Sequence, residues 1–216
     1  MLALLAGTAT AFALTEALKL DRTPVARPKF DVVFSPVCSC RRERARLPVR
    51  FRKADTVDAA IVSDGGDHVR TLTEGRRQPR GRFVFLWDGK DDSGRVVPDG
   101  SYRLRLSFES DGRTIDLPNE IRVDTEPPRL EILRVAEGPL TVVARTNERA
   151  RLLLVVNAFL KPSLLTRTRF QDAGVMRLVW AGPGVPPRAL PAVVAQDAAG
   201  NRSTPVALPL PSGASS

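Results

Sequence analysis

The sequence predicts an all-β protein of two tandem antiparallel β-sandwiches, preceded by a short N-terminal hydrophobic helix. Three observations support this fold class. The 216 residues include 18 prolines, which helices and central strands tolerate poorly, so short strands and loops are favoured. From Phe30 onward apolar and polar residues alternate with a period of two, which is typical of half-buried strands. A Thr-Glu-Pro-Pro-Arg segment at 125–129 separates two strand-rich parts of domain size.

In the first part, apolar residues at every second position predict three strands. They carry Leu47, Val49 and Phe51; Phe83, Phe85 and Trp87; and Tyr102, Leu104, Leu106 and Phe108. The Asp111-Gly112 pair then predicts a tight turn, and a hairpin with the strand that carries Ile115 and Leu117. This spacing of strands and turns is typical of a sandwich.

The second part repeats this pattern, with candidate strands at 129–135, 140–146, 150–157, 164–170, 175–180, 189–197 and 203–210. The strand at 150–157 is apolar on both faces, so we expect it to be covered on both sides or to lie at an interface. The segment FVFLWDG aligns with MRLVWAG, which places Trp87 opposite Trp180. This similarity predicts an internal duplication, and chance likeness between β-rich segments is the alternative.

The N-terminal segment from Leu2 to Leu14 carries no charge, but it is shorter than the roughly 20 residues that span a membrane. We interpret it as a signal-anchor, with a cleaved signal peptide, or an amphipathic or buried soluble helix, as alternatives. The predicted organisation is therefore a signal-anchor or signal peptide at 1–20, a linker at 21–29, sandwiches at 30–126 and 127–212, and a tail at 213–216.

One stretch, residues 83–108, carries a specific motif: a strand, Trp-Asp-Gly, an Asp-rich turn, and Pro-Asp-Gly-Ser-Tyr opening the next strand. Ser35-Pro36 and the Val-Arg-Thr-Leu stretch at 69–72 lie upstream. With these features, residues 30–124 resemble the Ig-like domain of the flagellar hook-capping protein FlgD. The resemblance rests on Trp87, Asp88, Gly89, Asp91, Gly94, Pro98, Gly100 and Tyr102.

The resemblance implies that both sandwiches are Ig-like and that the chain is an accessory or adhesion-type module. The second sandwich matches only a generic Ig-like ending, the Ala-Gln-Asp-Ala-Ala-Gly-Asn stretch at 195–201. Many family members have Asn-Gly-Asp-Gly after the Ser-Pro pair, where this chain has Val-Cys-Ser-Cys-Arg-Arg at 37–42. A role of those acidic residues in ion binding is therefore not carried over.

The two cysteines, Cys38 and Cys40, are separated by one residue. In an oxidising compartment they are expected to form a local or intermolecular disulfide, and free thiols are the main alternative. A metal site is the weakest interpretation, because zinc usually needs four ligands and the chain has a single histidine, His68. We expect no metal and no cofactor.

The clustered acidic residues of the motif region are Asp88, Asp91, Asp92 and Asp99. Their spacing does not match an Asp-x-Asp-x-Asp-Gly calcium loop with a distal Glu, so we interpret them as turn-forming residues that bond their own backbone. Trp87 and Trp180 are expected to be core residues rather than ligand-stacking platforms.

The net charge is +9. The positive charge is spread along the chain, and Glu43 interrupts the basic run at 41–46, so a solvated basic surface is favoured over a nucleic-acid interface. No hydrolase, metalloprotease, phosphate-loop or dinucleotide-binding motif is present in the sequence.

We therefore predict a non-enzymatic structural or interaction protein that presents tandem Ig-like domains outside the cytoplasm. The expected location is single-pass membrane-anchored, with secretion as the alternative. Its partners are expected to be a protein or cell-wall polymer, with the membrane contacted through the N-terminal segment and no nucleic acid. A surface-appendage assembly accessory and a carbohydrate-binding module are the alternative functions.

Overall fold

The computed structural model describes residues 23–26, 30–136, 139–157, 162–182 and 189–209. Within these ranges the chain forms sixteen strands and no helix, so the all-β prediction is confirmed. The predicted N-terminal helix at residues 1–20 lies outside the described residues. No helix among the described residues has the length and apolarity needed to cross a membrane.

The first sandwich contains nine strands, which form two sheets. Strands β1, β3 and β6 form one sheet, and β2, β9, β7, β4 and β5 form the other, with β8 paired to β7. The strands are β1 (Val25–Ala26), β2 (Val32–Phe34), β3 (Ala45–Phe51), β4 (Asp55–Ser63), β5 (His68–Gln78), β6 (Gly81–Trp87), β7 (Gly100–Phe108), β8 (Arg113–Asp116) and β9 (Ile121–Val123).

One pair departs from the predicted antiparallel arrangement, because β2 and β9 run parallel. The chain changes sheets near its start: β1 pairs with β3 in one sheet, whereas β2 lies at the edge of the other. Every other pairing of named strands among the described residues is antiparallel.

The core of the first sandwich lies between its two sheets and contains several aromatic rings. The alternation along β3 and β7 points one set of side chains inward, because successive residues of a strand face opposite sides. Phe51 makes edge-to-face contacts with Phe85 and Phe108, at centroid distances of 6.5 and 6.3 Å. The fully buried side chains of this core include Phe34, Leu47, Phe51, Ile61, Trp87, Leu104, Leu106 and Ile121.

The second sandwich contains seven strands. Strands β10, β11 and β14 form one sheet, and β13, β12, β15 and β16 form the other. The strands are β10 (Leu130–Ala136), β11 (Leu140–Thr146), β12 (Ala150–Val156), β13 (Ser163–Arg167), β14 (Gly174–Trp180), β15 (Pro191–Asp197) and β16 (Val206–Ala207). The last strand is shorter than the predicted 203–210, because Pro205 and Pro209 flank it and proline cannot donate a ladder hydrogen bond.

The two sandwiches share a strand order. The row β5-β4-β7-β9 in the first corresponds to β13-β12-β15-β16 in the second, and β3-β6 corresponds to β11-β14. Trp87 and Trp180 are the last residues of the corresponding strands β6 and β14. The proposed division between residues 126 and 127 falls between the two hydrophobic cores.

The central strands of the second sandwich are buried on both faces. Leu152 and Leu154 of β12 belong to the core between the sheets. Leu153 and Val155 face the other way, and they form a separate buried cluster with Ala192 and Val194 of β15. The apolar run at 152–156 of β12 therefore agrees with the burial on both faces that its pattern predicts.

Candidate functional site

The tryptophan of the Trp-Asp-Gly motif is buried. Trp87 is 1% exposed and lies edge-to-face against Phe34 and Tyr102, with centroid distances of 5.5 and 5.1 Å. Its Nε1–H donates to the carbonyl of Lys90 at 2.9 Å. A buried indole with its one donor satisfied stabilises the fold and offers no surface to a ligand.

Gly89 explains why the Ser-Pro pair accompanies this motif. Its φ is +72°, and a Cβ added there would lie 2.9 Å from two side-chain atoms of Pro36 and 3.2 Å from Phe34. Only glycine meets both conditions, since other residues rarely adopt this φ and have a side chain to place. The backbone of the Trp-Asp-Gly turn is therefore packed directly on the Ser35-Pro36 segment.

The second half of the motif closes the same turn. Tyr102 donates its hydroxyl to the carbonyl of Pro98 at 2.7 Å, and the Val97 amide donates to the carbonyl of Gly89 at 3.0 Å. Burial raises the pKa of Tyr102, and the nearby Asp99 adds to this effect. These two hydrogen bonds hold the turn that leads into β7, so the motif residues stabilise the local structure.

The aspartates of this region are used as hydrogen-bond acceptors. Asp91 accepts from the Ser93 hydroxyl at 2.6 Å and from the Arg95 amide at 2.9 Å, and these bonds lower the pKa of Asp91 to about 2. Asp99 accepts from the amide and hydroxyl of Thr125. Asp88 accepts from the Lys90 amide at 3.3 Å. The interpretation as turn aspartates therefore agrees with the contacts of Asp88 and Asp91. It is wrong for Asp99 and for Asp92, which accepts from the Thr71 amide, because both carboxylates bond distant segments of the chain.

The one histidine forms a polar group that superficially resembles a catalytic triad. His68 Nε2 lies 2.7 Å from Asp92 Oδ2 and 3.3 Å from Thr71 Oγ1. In a catalytic triad the acid and the nucleophile contact opposite ring nitrogens, so that the ring can relay a proton between them. Here both contact Nε2, so the group cannot relay a proton in that way. It lies beside an open pocket of about 780 Å³ that Asp91, Arg95 and Tyr102 also line.

A second set of contacts joins the two sandwiches. Cys38 and Cys40 are bonded to each other, with Cα atoms 5.2 Å apart. A Cβ added to Gly200 of the second sandwich would lie 2.6 Å from the Sγ of Cys40. Arg42 follows this loop, and its Nη1 donates to the carbonyl of Ala198 at 2.6 Å. The disulfide loop of the first sandwich is therefore packed against the 197–201 turn of the second.

Asn201 connects this turn to the linker between the sandwiches. Its Nδ2 donates to the carbonyls of Asp124 and Glu126, at 2.9 and 3.3 Å, and to Asp197 Oδ2 at 2.8 Å. Asp197 also accepts from the backbone amides of Gly200 and Asn201. Since both carboxylate oxygens of Asp197 accept bonds, this buried side chain shapes the turn that reaches the linker.

Three carboxylates meet at the junction: ligand oxygens of Asp124, Glu148 and Asp197 lie within 4.8 Å of one another. Burial raises the pKa of Asp124, and the neighbouring Asp197 adds to this effect. Burial likewise raises the pKa of Glu148, followed by the charges of Asp124 and Asp197. Carboxylates are the ligands that hard divalent cations prefer, so these three are the residues that could hold one.

Sequence reasoning singled out the motif residues and the cysteine pair, but it did not find the junction. The structure brings the disulfide close to Gly200, whereas His68 lies with Asp92 and apart from the cysteines in the described contacts. Asp124, Glu148 and Asp197 come from three separate segments. The Asp-Ala-Ala-Gly-Asn turn was visible in the sequence, but its contact with the linker had no local signal.

The two sheets of the first sandwich and its internally bonded turn define a β-sandwich module of the Ig-like class. Residues 47–112 match the family model of the FlgD Ig-like domain. The first sandwich is therefore a FlgD-type Ig-like domain, and the resemblance noted from the motif is confirmed.

Two curated relatives, from Salmonella typhimurium and Salmonella typhi, are named basal-body rod modification protein FlgD. Each is 41% identical to this chain over 59 residues, which is 27% of this chain and 25% of the relative. The match thus spans about a quarter of the length of these relatives.

Solved structures with some likeness include FlgD from P. aeruginosa, at 23% identity, covering 55% of this chain and 82% of that one with a TM-score of 0.34. The FN1-FN3 domains of chicken CNTN1 are 16% identical, covering 86% of this chain and 64% of that one with a TM-score of 0.39.

Proposed function

We propose that this protein is a non-enzymatic structural protein that assists the assembly of a surface appendage, and that it binds a protein partner outside the cytoplasm. The observation that carries the proposal is the FlgD-type domain at residues 47–112, whose motif side chains bond internally. The curated relatives are named for modification of the basal-body rod, so a rod-like protein assembly is the favoured type of partner.

The fold offers an edge to such a partner at β14. This strand lies at the edge of its sheet, last in the order β10-β11-β14. The side chains of Val175 and Val179 on this strand are 58% and 43% exposed. An edge strand presents backbone donors and acceptors that an added strand can pair with. Val175 and Val179 lie on one face of β14, so they supply apolar contact beside the backbone bonds.

A site-specific photocrosslinker tests the partner. We expect a crosslinker at Val175 to capture purified rod or hook subunits of the host cell, and one at Val96, a comparably exposed residue of the first sandwich at 42%, to capture far less. Equal capture at both positions would show nonspecific contact and argue against β14. No capture at any exposed position would argue against an appendage partner.

The extracytoplasmic location is part of the proposal. The bond between Cys38 and Cys40 supports it, because disulfides persist in oxidising compartments. The uncharged segment Leu2–Leu14 is the proposed membrane anchor or secretion signal. Cell fractionation with protease shaving and N-terminal sequencing tests both points: a cytoplasmic, protease-protected chain would contradict the location.

The carbohydrate-binding alternative depends on an accessible indole. Trp87 is 1% exposed, which leaves only Trp180, and Trp180 is half-buried against the second core. The atoms of its six-membered ring also lie close under Gly182. These contacts favour a protein partner over a glycan that stacks on tryptophan, and quenching of Trp180 fluorescence by glycans would reverse that preference.

A further inference from the structure

The disulfide loop is partly exposed to solvent and lies next to positively charged residues. Cys38 and Cys40 are both half-buried, and the intervening Ser39 is exposed with φ at +48°. The backbone N–H of Arg42 points at the Sγ of Cys40, with the two heavy atoms 3.4 Å apart. A thiolate formed at Cys40 would keep this donor and lie beside the basic run 41–46, and both features stabilise a thiolate.

These features fit thiol–disulfide exchange. A thiolate attacks one sulfur of a disulfide and expels the other, and expulsion is faster when the leaving thiolate is stabilised. Attack at Cys38 makes Cys40 the leaving group. The Arg42 N–H then donates a hydrogen bond to the Cys40 thiolate and stabilises its negative charge. The structure thus distinguishes the two sulfurs by their surroundings, although they are only two residues apart.

We propose that Cys38–Cys40 is a thiol–disulfide exchange site for an external dithiol protein, and that its reduction loosens the junction between the two sandwiches. A thiolate of the dithiol bonds to Cys38 and releases the Cys40 thiolate. The second thiol of the dithiol then attacks this mixed disulfide and releases Cys38. Two electrons and two protons pass to the two cysteines, and the dithiol becomes a disulfide.

The coupling to the junction follows from the lack of space around Cys40. A Cβ at Gly200 would already lie 2.6 Å from Cys40 Sγ and 3.4 Å from Cys38 Sγ. Two unbonded thiols must separate to van der Waals distance, so they need more room than the disulfide. Gly200 lies against the two sulfurs on one side, so we expect their separation to displace the loop or the turn.

A shift of this loop affects the polar contacts that join the sandwiches. Arg42 lies two residues after Cys40, and its bond to the Ala198 carbonyl crosses the junction. Gly200 is next to Asn201, which bonds the linker carbonyls of Asp124 and Glu126. We therefore expect reduction to weaken both the Arg42 contact and the Asn201 contact.

The test uses the full chain in oxidised form and after treatment with dithiothreitol, with alkylation and mass spectrometry to count the free thiols. Amide hydrogen exchange is then compared for peptides covering 124–129 and 195–203. We expect exchange in these peptides to be about 10-fold faster after reduction, because local opening of the junction sets their protection. Peptides of the first core, covering 55–63, should be unchanged.

Variants test the coupling between the disulfide loop and the junction. In the oxidised protein, Gly200→Ala should speed junction exchange as reduction does, and Cys38→Ser/Cys40→Ser should do so regardless of dithiothreitol. Arg42→Gln should loosen the junction in the oxidised protein, whereas the neighbouring Arg44→Gln, which lacks a contact across the junction among the described bonds, should not. The unchanged 55–63 peptides verify folding of each variant.

Two results would overturn the inference. Identical junction exchange in the oxidised and reduced proteins would remove the coupling. Resistance of the disulfide to dithiothreitol until the protein unfolds would remove the exchange site. Neither result depends on the appendage partner, so both can be distinguished from failure of the proposed function.

Discussion

The two sandwiches share a strand order but close their cores differently. In the first, Trp87 ends β6 at 1% exposure, surrounded by Phe34 and Tyr102. In the second, Trp180 ends the corresponding strand β14 only half-buried. The tryptophan at the same position of the fold is thus fully buried in the first sandwich and partly exposed in the second.

The sequence that follows each tryptophan also differs. The first turn places Gly89 against Pro36 and returns the Lys90 carbonyl to the indole. The second sandwich lacks the Trp-Asp-Gly sequence, since Ala181 stands where the first has Asp88. The motif therefore closes one end of the first sandwich, and the sequence of the second sandwich does not carry it.

The largest expected effect separates the two tryptophans. Trp87→Ala should destabilise the first sandwich by about 3–5 kcal/mol, because it removes a large, fully buried side chain and leaves a cavity. Trp180→Ala should cost about 1–2 kcal/mol, because less of its surface is withdrawn from water. Denaturant unfolding followed by circular dichroism measures both. Equal losses would show that partial exposure of Trp180 does not lower its contribution.

A pair of glycines tests the turn itself. Gly89 and Gly94 both have positive φ, +72° and +82°, but only at Gly89 would an added Cβ meet other atoms. Gly94→Ala should cost about 1–2 kcal/mol from the backbone conformation alone. Gly89→Ala should cost about 1–3 kcal/mol more, because it also overpacks the contact with Pro36. If thermal unfolding gives the same loss for both, the Ser-Pro contact does not constrain the turn.

The junction should respond to a smaller change. Asn201→Ala removes the side-chain bonds to the carbonyls of Asp124 and Glu126 and should cost about 1 kcal/mol. Asn119→Ala is the control, since Asn119 Nδ2 donates to the carbonyl of Phe30 within the first sandwich and not to the linker carbonyls. Hydrogen exchange of residues 124–126 should rise in the first variant and remain unchanged in the control. If exchange of residues 124–126 rises in the control and not in Asn201→Ala, the side chain of Asn201 does not hold the linker in place.

Much of the fold could be predicted from the sequence, because strand periodicity is local. The range predicted for β11, 140–146, agrees with the structure, and that for β14 differs by one residue. The Trp-Asp-Gly motif also identified its family, although two of its residues are constrained by a distant segment, Trp87 by Phe34 and Gly89 by Pro36. In contrast, Asp124, Glu148 and Asp197 meet only when two sandwiches dock, and no periodicity within a strand encodes that contact.

The smallest expected effect contrasts the pH responses of the first sandwich and the junction. Burial favours a raised pKa for Asp55, but hydrogen bonds from Ser110 and Thr56 outweigh it and lower the pKa of Asp55. A lowered pKa contributes stability above the unfolded value, and this stability is lost as the pH falls through the folded value. Burial and then the Asp197 charge raise the pKa of Asp124, so its ionised form costs stability at neutral pH and acid relieves that cost.

Replacement by asparagine should therefore have opposite signs at the two sites. Asp55→Asn should lower the stability of the first sandwich at neutral pH, and the loss should shrink as the pH falls below 3.8, the ordinary value for this carboxyl. Asp124→Asn should raise stability at neutral pH by about 0.5 kcal/mol, a small gain because solvent screens this partly exposed group. Thermal unfolding between pH 3 and pH 7 measures both. A destabilising Asp124→Asn would show that the negative charge at the junction is used by a bound cation or donor, because removing repulsion alone can only stabilise the folded state.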